Sequence, residues 1–219
     1  MQKNTYAAPQ RIEFLDGLRG IAILLVAMYH FCVPPKLGFF SFDYALGNFF
    51  TNDFGHLGVP LFFIISGYVI SLTIRKCSGV FDFLKRRYLR LWPMAVLGSL
   101  IILAMQPLFT LNESPKAPAD LLPSFFLIDS WFFTRLFGYV GDSVTPVFWT
   151  LYLEVQFYVL FAFLFFYFRK WTLPVLLLLF LALQPFRAWG LFGITSATID
   201  AYNRVFIFHH LPWFCVGVA

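Results

Sequence analysis

The chain has 219 residues, of which 60% are hydrophobic, 21% aromatic and only 12% charged. This composition lies far outside the usual balance of a soluble domain and indicates an integral membrane protein. The net charge of +5 does not indicate nucleic-acid binding, because the basic residues cluster between apolar runs, where positive charge sets membrane topology. The three cysteines lack C-x-x-C spacing and suitably spaced histidines, so no metal or redox centre is expected.

Six apolar runs predict membrane-spanning helices. Several reach or approach the ~20 residues that a ~30 Å hydrocarbon layer requires, and none alternates as barrel strands do. In chain order the predicted spans are residues 18–33, 57–74, 91–105, 147–168, 173–183 and a sixth that begins near Val205. Prolines or basic pairs are expected to end five of them, at Pro34, Arg75, Pro107, Arg169 and Pro185 in turn. The predicted fold class is therefore all-α, a polytopic helical membrane protein with one membrane domain over residues 1–219.

The segments between these runs predict the topology. Residues 81–93, FDFLKRRYLRLWP, mix aromatic and basic side chains, as an amphipathic piece at the membrane surface does. Residues 121–133 are too short and interrupted for a crossing, so we expect them to be re-entrant or interfacial. If the amino terminus is cytoplasmic and the first run is retained rather than cleaved, the main basic clusters all lie on the cytoplasmic side.

The first span carries Arg19 and His30 on one helical face. Eleven steps of ~100° overshoot three turns by only about 20°, and at ~1.5 Å per residue they cover roughly 16 Å. Ionisable groups within a bilayer are costly, so the pair is a functional-site hypothesis, with His30 as the natural proton acceptor at neutral pH. The alternative is that Arg19 snorkels to the membrane edge beside Asp16, and that His30 is a satisfied interfacial residue.

Two further sets of residues are candidates. Glu154 is the only carboxylate of the fourth span and needs a partner or water at that depth; Tyr158 faces the same way. Its alternative role is a structural ion pair with a neighbouring span. In the basic cluster, Arg87 and Arg90 share a helical face and, with Arg86, are candidates for binding the phosphates of a donor. The alternative is that these basic residues only set the orientation of the protein in the membrane. His209 and His210 are expected to be interfacial rather than catalytic.

Four segments in this order and spacing resemble the acyltransferase-3 family of membrane-bound O-acyltransferases: RIEFLDGLRGIAILLVAMYHF, GVPLFFIISGYVIS, FLKRRYLRLWP and FWTLYLEVQFYVL. The resemblance covers the chain from Arg11 onward. The family usually has about ten spans, so the resemblance implies a bundle of which the carboxyl-terminal spans are missing here. It also implies that Arg19 and His30 are required for transfer, that Arg87 and Arg90 match the family's arginine pair, and that Glu154 matches its acidic residue after the W-S/T-L motif.

The resemblance implies transfer of an acyl group, with acetyl as the first expectation, from cytoplasmic acyl-CoA to a hydroxyl of a cell-surface or lipid-linked glycan. The expected location is the bacterial inner membrane, with the amino terminus cytoplasmic; the expected partners are acyl-CoA, the glycan and the bilayer, without nucleic acid or a bound cofactor. His30 acts either as a base in a ternary complex or as a nucleophile that carries the acyl group. The alternatives are a transporter or channel in which Arg19, His30 and Glu154 form a proton relay, and an inactive fragment.

Overall fold

A computed structural model of the chain describes residues 13–32, 57–106, 116–138, 141, 143–188 and 207–219. These residues form α-helices and short 3₁₀ turns and contain no strand. The helices are α1 (Glu13–Cys32), α2 (Gly58–Ile74), α3 (Val80–Met105), α4 (Leu121–Phe126), α5 (Ser130–Phe137), α6 (Trp149–Phe168), α7 (Thr172–Ala188) and α8 (Leu211–Val218). The predicted all-α class is confirmed for this part of the chain.

The chain divides into two compact units, Met1–Ile65 and Ser66–Ala219, and the boundary falls within α2. In the first unit, α1 packs closely against the start of α2. A Cβ atom on Gly58 would lie 2.7 Å from the carbonyl oxygen of Ala22 and 2.8 Å from Cγ2 of Val26. Only glycine leaves room for this approach.

The second unit is built around α6. Helix α3 packs against both α4 and α6, and α6 is also in contact with α7, which in turn packs against α8. Buried aromatic rings fill the centre: the ring of Phe157 stacks on Phe214 at 4.2 Å and on Phe161 at 5.3 Å. Gly67 of α2 lies directly against α8, since a Cβ there would collide with the carbonyl oxygen of Phe214.

By length and composition, two helical stretches of the described residues are long and apolar enough to cross a membrane. One is α3, and the other is Trp149–Ala182, which comprises α6 and most of α7. Helix α2 is apolar but has only 17 residues. The number of spans and their arrangement as a bundle stay predictions.

Two predicted helix boundaries are wrong. The amphipathic piece 81–93 and the span 91–105 form one continuous helix, α3, with Pro93 inside it. Helix α7 likewise passes the proline at position 185 and continues to Ala188. Proline removes one backbone hydrogen bond but its fixed φ suits a helix, and apolar helices tolerate it where other groups satisfy the freed carbonyl.

The region 121–133 is interrupted, which agrees with the prediction that it is too short and broken to cross a membrane. Its re-entrant or interfacial position stays a prediction. The region contains α4, with six residues, and the start of α5, with eight, separated by Leu127 in the left-handed region at φ 54°. Eight residues extend only ~12 Å, so neither helix can cross a bilayer alone. The final helix begins at Leu211, later than expected, and the predicted ends at Pro34 and Pro107 lie outside the described residues.

Candidate functional site

Glu154 lies in the second turn of α6 and is only 4% exposed. Its Oε1 accepts two hydrogen bonds, from Ser66 Oγ at 2.8 Å and from the Tyr158 hydroxyl at 2.6 Å. The prediction that Tyr158 shares its face is confirmed, because the two residues are one helical turn apart. The partner that sequence reasoning missed is Ser66, which ties α6 to α2. The sequence signal for this partner was the polar side chain of Ser66 in the middle of the apolar α2.

The second carboxylate oxygen, Oε2 of Glu154, is buried and has no hydrogen-bond partner among the described residues. Among the described residues Glu154 makes no ion pair, so the alternative of a structural ion pair finds no support there. A buried carboxyl oxygen without a partner costs free energy and calls for an explanation. The arrangement leaves one oxygen held by two hydroxyls and the other available for a proton or a ligand.

Arg87 is also buried, at 6% exposed. Its Nη2 donates to the hydroxyl of Thr73 and, at 3.4 Å, to the carbonyl oxygen of Val69, both on α2. Its guanidinium carbon lies 5.4 Å from the ring centres of Phe83 and Tyr158. Tyr158 therefore has the Glu154 carboxylate at its hydroxyl and the Arg87 cation over its ring. The resulting cluster joins α2, α3 and α6.

The three arginines of the basic cluster occupy different environments. Arg87 is enclosed, Arg90 is exposed, and the exposed Arg86 donates from Nε to Oδ1 of Asp82 at 2.8 Å. Both Arg87 and Arg90 lie close enough to Tyr158 to act on it electrostatically. The structure thus brings these two arginines to the Glu154 cluster, while their binding of donor phosphates stays a prediction.

Arg19 and His30 both belong to α1, which runs without a break from Glu13 to Cys32. Nη1 of Arg19 lies 3.9 Å from Oδ1 of Asp16. This ion pair agrees with the alternative given above, in which Arg19 lies at the membrane edge beside Asp16. The side chain of His30 lies outside the described residues, so its role stays a prediction.

A cavity of about 780 Å³ opens where the turn after α2 meets the turn between α6 and α7. We call it the basic cavity; it is lined by Ile74, Arg75, Cys77, Phe165, Phe166, Arg169 and Lys170. It brings Arg75 together with Arg169 and Lys170, so these two basic clusters lie at one end of the second unit, as the topology prediction requires. Burial raises the pKa of the Cys77 thiol, and the nearby Asp82 carboxylate adds to this effect.

The histidine pair makes aromatic contacts. The ring of His210 lies 5.2 Å from that of Trp149 and 4.7 Å from that of His209. Oε1 of Gln156 accepts a hydrogen bond from the backbone nitrogen of Ile207 at 3.1 Å, and so Gln156 faces away from Glu154. Within the described residues no group of three His, Cys, Asp or Glu side chains is placed to hold a metal ion.

Comparison with known proteins gives a consistent result. The relatives include the peptidoglycan O-acetyltransferase OatA of Listeria monocytogenes, 26% identical over 78% of this chain and 27% of its own length. The putative peptidoglycan O-acetyltransferase YrhL of Bacillus subtilis is 31% identical over 68% of this chain and 23% of its own. The O-acetyltransferase OatA of Staphylococcus aureus is 28% identical over 70% of this chain and 24% of its own length.

The chain thus spans about a quarter of the length of these relatives, 27% in the Listeria monocytogenes protein. No solved structure matches it. The family model described as an acyltransferase domain matches residues 12–219, which includes every candidate residue discussed above. With a match that extends over nearly the whole sequence, this protein is a member of the acyltransferase-3 family.

Proposed function

We propose that this protein is an integral membrane O-acyltransferase that moves an acyl group, with acetyl as the first candidate, from cytoplasmic acyl-CoA to a glycan hydroxyl. The observation that carries this proposal is the family match over residues 12–219. Peptidoglycan is the first acceptor to test, because the relatives from Listeria monocytogenes and Bacillus subtilis are named for it. The family match favours this reaction over the transporter alternative.

In the proposed reaction His30 removes the proton from the acceptor hydroxyl, and Arg19 attracts the anionic donor. The unbroken helix α1 supports this division, because its register puts the two positions within about 20° of each other around the axis and roughly 16 Å apart along it. In a ternary complex, the acceptor oxygen attacks the thioester carbonyl and coenzyme A leaves as its thiol. In the two-step scheme, an imidazole nitrogen of His30 attacks the thioester carbonyl and coenzyme A leaves as its thiol. The acceptor hydroxyl then attacks the acyl-imidazole, and the acceptor's proton returns to the imidazole as the ester forms.

Glu154 is proposed to hold a polar group of the reacting molecules inside the membrane. Its support is the asymmetry of the carboxylate: Oε1 is fixed by Ser66 and Tyr158, whereas Oε2 is buried and finds no partner in the part of the chain that the structure describes. A hydroxyl or a protonated ring at Oε2 would remove the cost of that unsatisfied oxygen. The two hydroxyls keep the carboxylate in one orientation, which is the condition for positioned catalysis.

The donor phosphates are proposed to bind at the arginine cluster. Arg90 is its exposed member beside Tyr158 and is accessible to a soluble ligand, as is Arg86. Arg87 anchors the cluster to α2 through Thr73 and Val69, so it fixes the position of α3 at which the donor binds. A guanidinium group suits this role because it binds phosphate with two parallel hydrogen bonds.

The test is acyl transfer by the full-length protein reconstituted in phospholipid vesicles with labelled acetyl-CoA and soluble peptidoglycan fragments. The parent should transfer label to a hydroxyl, and His30→Ala should lower the turnover by about 10² to 10⁴-fold, the usual contribution of a general base. The sequence places His56 at the entry of the second predicted span, and His56→Ala serves as the matched control that should retain the parental rate. Solute flux without consumption of acetyl-CoA would contradict the proposal.

A further inference from the structure

The basic cavity holds three cations and no carboxylate. Arg75, Arg169 and Lys170 line it, and the other lining residues are uncharged at neutral pH. Among the residues that the structure describes, none of these three cations forms an ion pair. Of the charged groups that act on Cys77 in the lining, Asp82 and Arg86 form an ion pair with each other, and Arg87 is a further cation. The cavity therefore has an uncompensated positive charge.

Three like charges around one concave space repel one another, and an anion between them relieves the repulsion. Two of the three are arginines, whose guanidinium groups bind phosphate with two hydrogen bonds. The walls also include the aromatic rings of Phe165 and Phe166, against which a flat apolar group can stack. A volume of about 780 Å³ is that of a typical small-molecule site. The lining thus fits a phosphate-bearing molecule with an apolar or aromatic part.

The two turns that form the cavity are fixed by hydrogen bonds. Thr172 is buried and its hydroxyl donates to the carbonyl oxygen of Arg169 at 2.7 Å, which holds the turn between α6 and α7. Across the cavity, the backbone nitrogen of Cys77 donates to the carbonyl oxygen of Ile74 at 3.0 Å. The backbone of Arg169 has φ 38°, a conformation that residues other than glycine rarely adopt. An arginine thus occupies a position where glycine would be less strained.

We propose that the basic cavity binds the phosphate groups of an anionic ligand through Arg75, Arg169 and Lys170. Where the source is the nucleotide end of the acyl-CoA donor, this inference rests on the proposed function. Coenzyme A carries a diphosphate and a separate ribose phosphate, so the arginine cluster of α3 and the basic cavity would bind different phosphates of the same donor. Phosphate at this end of the protein has a second source, the head group of an anionic lipid. The experiment separates the two sources.

Binding of coenzyme A to the full-length protein is measured in nanodiscs of zwitterionic phosphatidylcholine, with Arg75→Gln, Arg169→Gln and Lys170→Gln as variants. Each should weaken binding by about three- to tenfold, as expected for a partly solvated hydrogen bond to a charged group. Arg169→Lys should retain most of the affinity, and Arg169→Gly should lose it while folding well, because glycine accepts this φ. Arg135→Gln, an exposed arginine on α5 beside Trp131, is the matched control and should bind like the parent.

A second arm measures phosphatidylglycerol that remains bound to the same variants after purification. Loss of this lipid with unchanged coenzyme A affinity identifies the ligand as a lipid head group. Unchanged binding of both probes in all three glutamine variants overturns the proposal. If the variants lose coenzyme A binding but the parent transfers no acyl group, the cavity stands and the proposed function fails. If the parent transfers acyl groups while all three glutamine variants bind both coenzyme A and phosphatidylglycerol like the parent, the proposed function stands and the cavity proposal fails.

Discussion

Replacing Ser66 by alanine should destabilise the protein and misplace the Glu154 carboxylate. The Ser66 hydroxyl donates to Glu154 at 2.8 Å, and both residues are buried. A hydrogen bond to a charged group contributes about 1.5–3 kcal/mol, and alanine leaves no group that could replace the donor. We therefore expect Ser66→Ala to lower the free energy of unfolding by that amount, which corresponds to roughly 10- to 150-fold in the unfolding equilibrium.

Unfolding of the purified protein in mixed micelles, followed by circular dichroism as the fraction of denaturing detergent rises, measures this loss. Ser71→Ala is the matched control on the same helix, because among the described residues the Ser71 hydroxyl bonds only to the carbonyl oxygen of Tyr68 within α2. A double-mutant cycle with Glu154→Gln assigns the loss to the pair. Equal stability of Ser66→Ala and Ser71→Ala, or strictly additive effects in the cycle, would refute the reasoning.

Other substitutions test the packing and electrostatics of the second unit. Gly67→Ala should cost about 1–3 kcal/mol in unfolding experiments, since its methyl group would meet the backbone of α8, whereas Gly98→Ala, with its nearest neighbour at 3.4 Å, should be close to neutral. Arg87→Lys should lower the thermal midpoint although it keeps the charge, because an ammonium group cannot replace the two ring contacts and the paired donors. Equal midpoints would show that charge alone matters. Because its pKa is raised, Cys77 should react with iodoacetamide more slowly than free cysteine near pH ~8.5. Asp82→Asn should speed that reaction by removing a cause of the raised pKa, and an unchanged rate measured by mass spectrometry would contradict it.

The helices that sequence analysis located best are those with a long uninterrupted apolar run. Helices α1, α2 and α6 begin and end within a few residues of the predicted limits, except that α1 starts five residues earlier than expected, at Glu13. The continuity of α3 was not predictable in the same way. Its first turns are charged and Pro93 follows, and both features are typical of a helix boundary. Only packing against α4 and α6 keeps this segment in one helix.

In the candidate site, contacts within one helix could be predicted from the sequence, whereas contacts between helices could not. The pairing of Glu154 with Tyr158 follows from helical spacing, and so does the ion pair of Asp16 with Arg19. The bond from Ser66 to Glu154 joins residues 88 positions apart, and it depends on the register between α2 and α6, which no local pattern encodes. The burial of Arg87 depends in the same way on which side of α3 faces the core.

Mass spectrometry of envelope glycans decides most directly whether this protein acylates the cell surface. Cells that lack the complete gene are compared with the same cells carrying the parent or the His30→Ala variant, each confirmed in the membrane by immunoblot. The proposed function predicts ester-linked acyl groups with the parent and about 10²-fold fewer or none with the variant. Equal acylation in all three cell lines would contradict it.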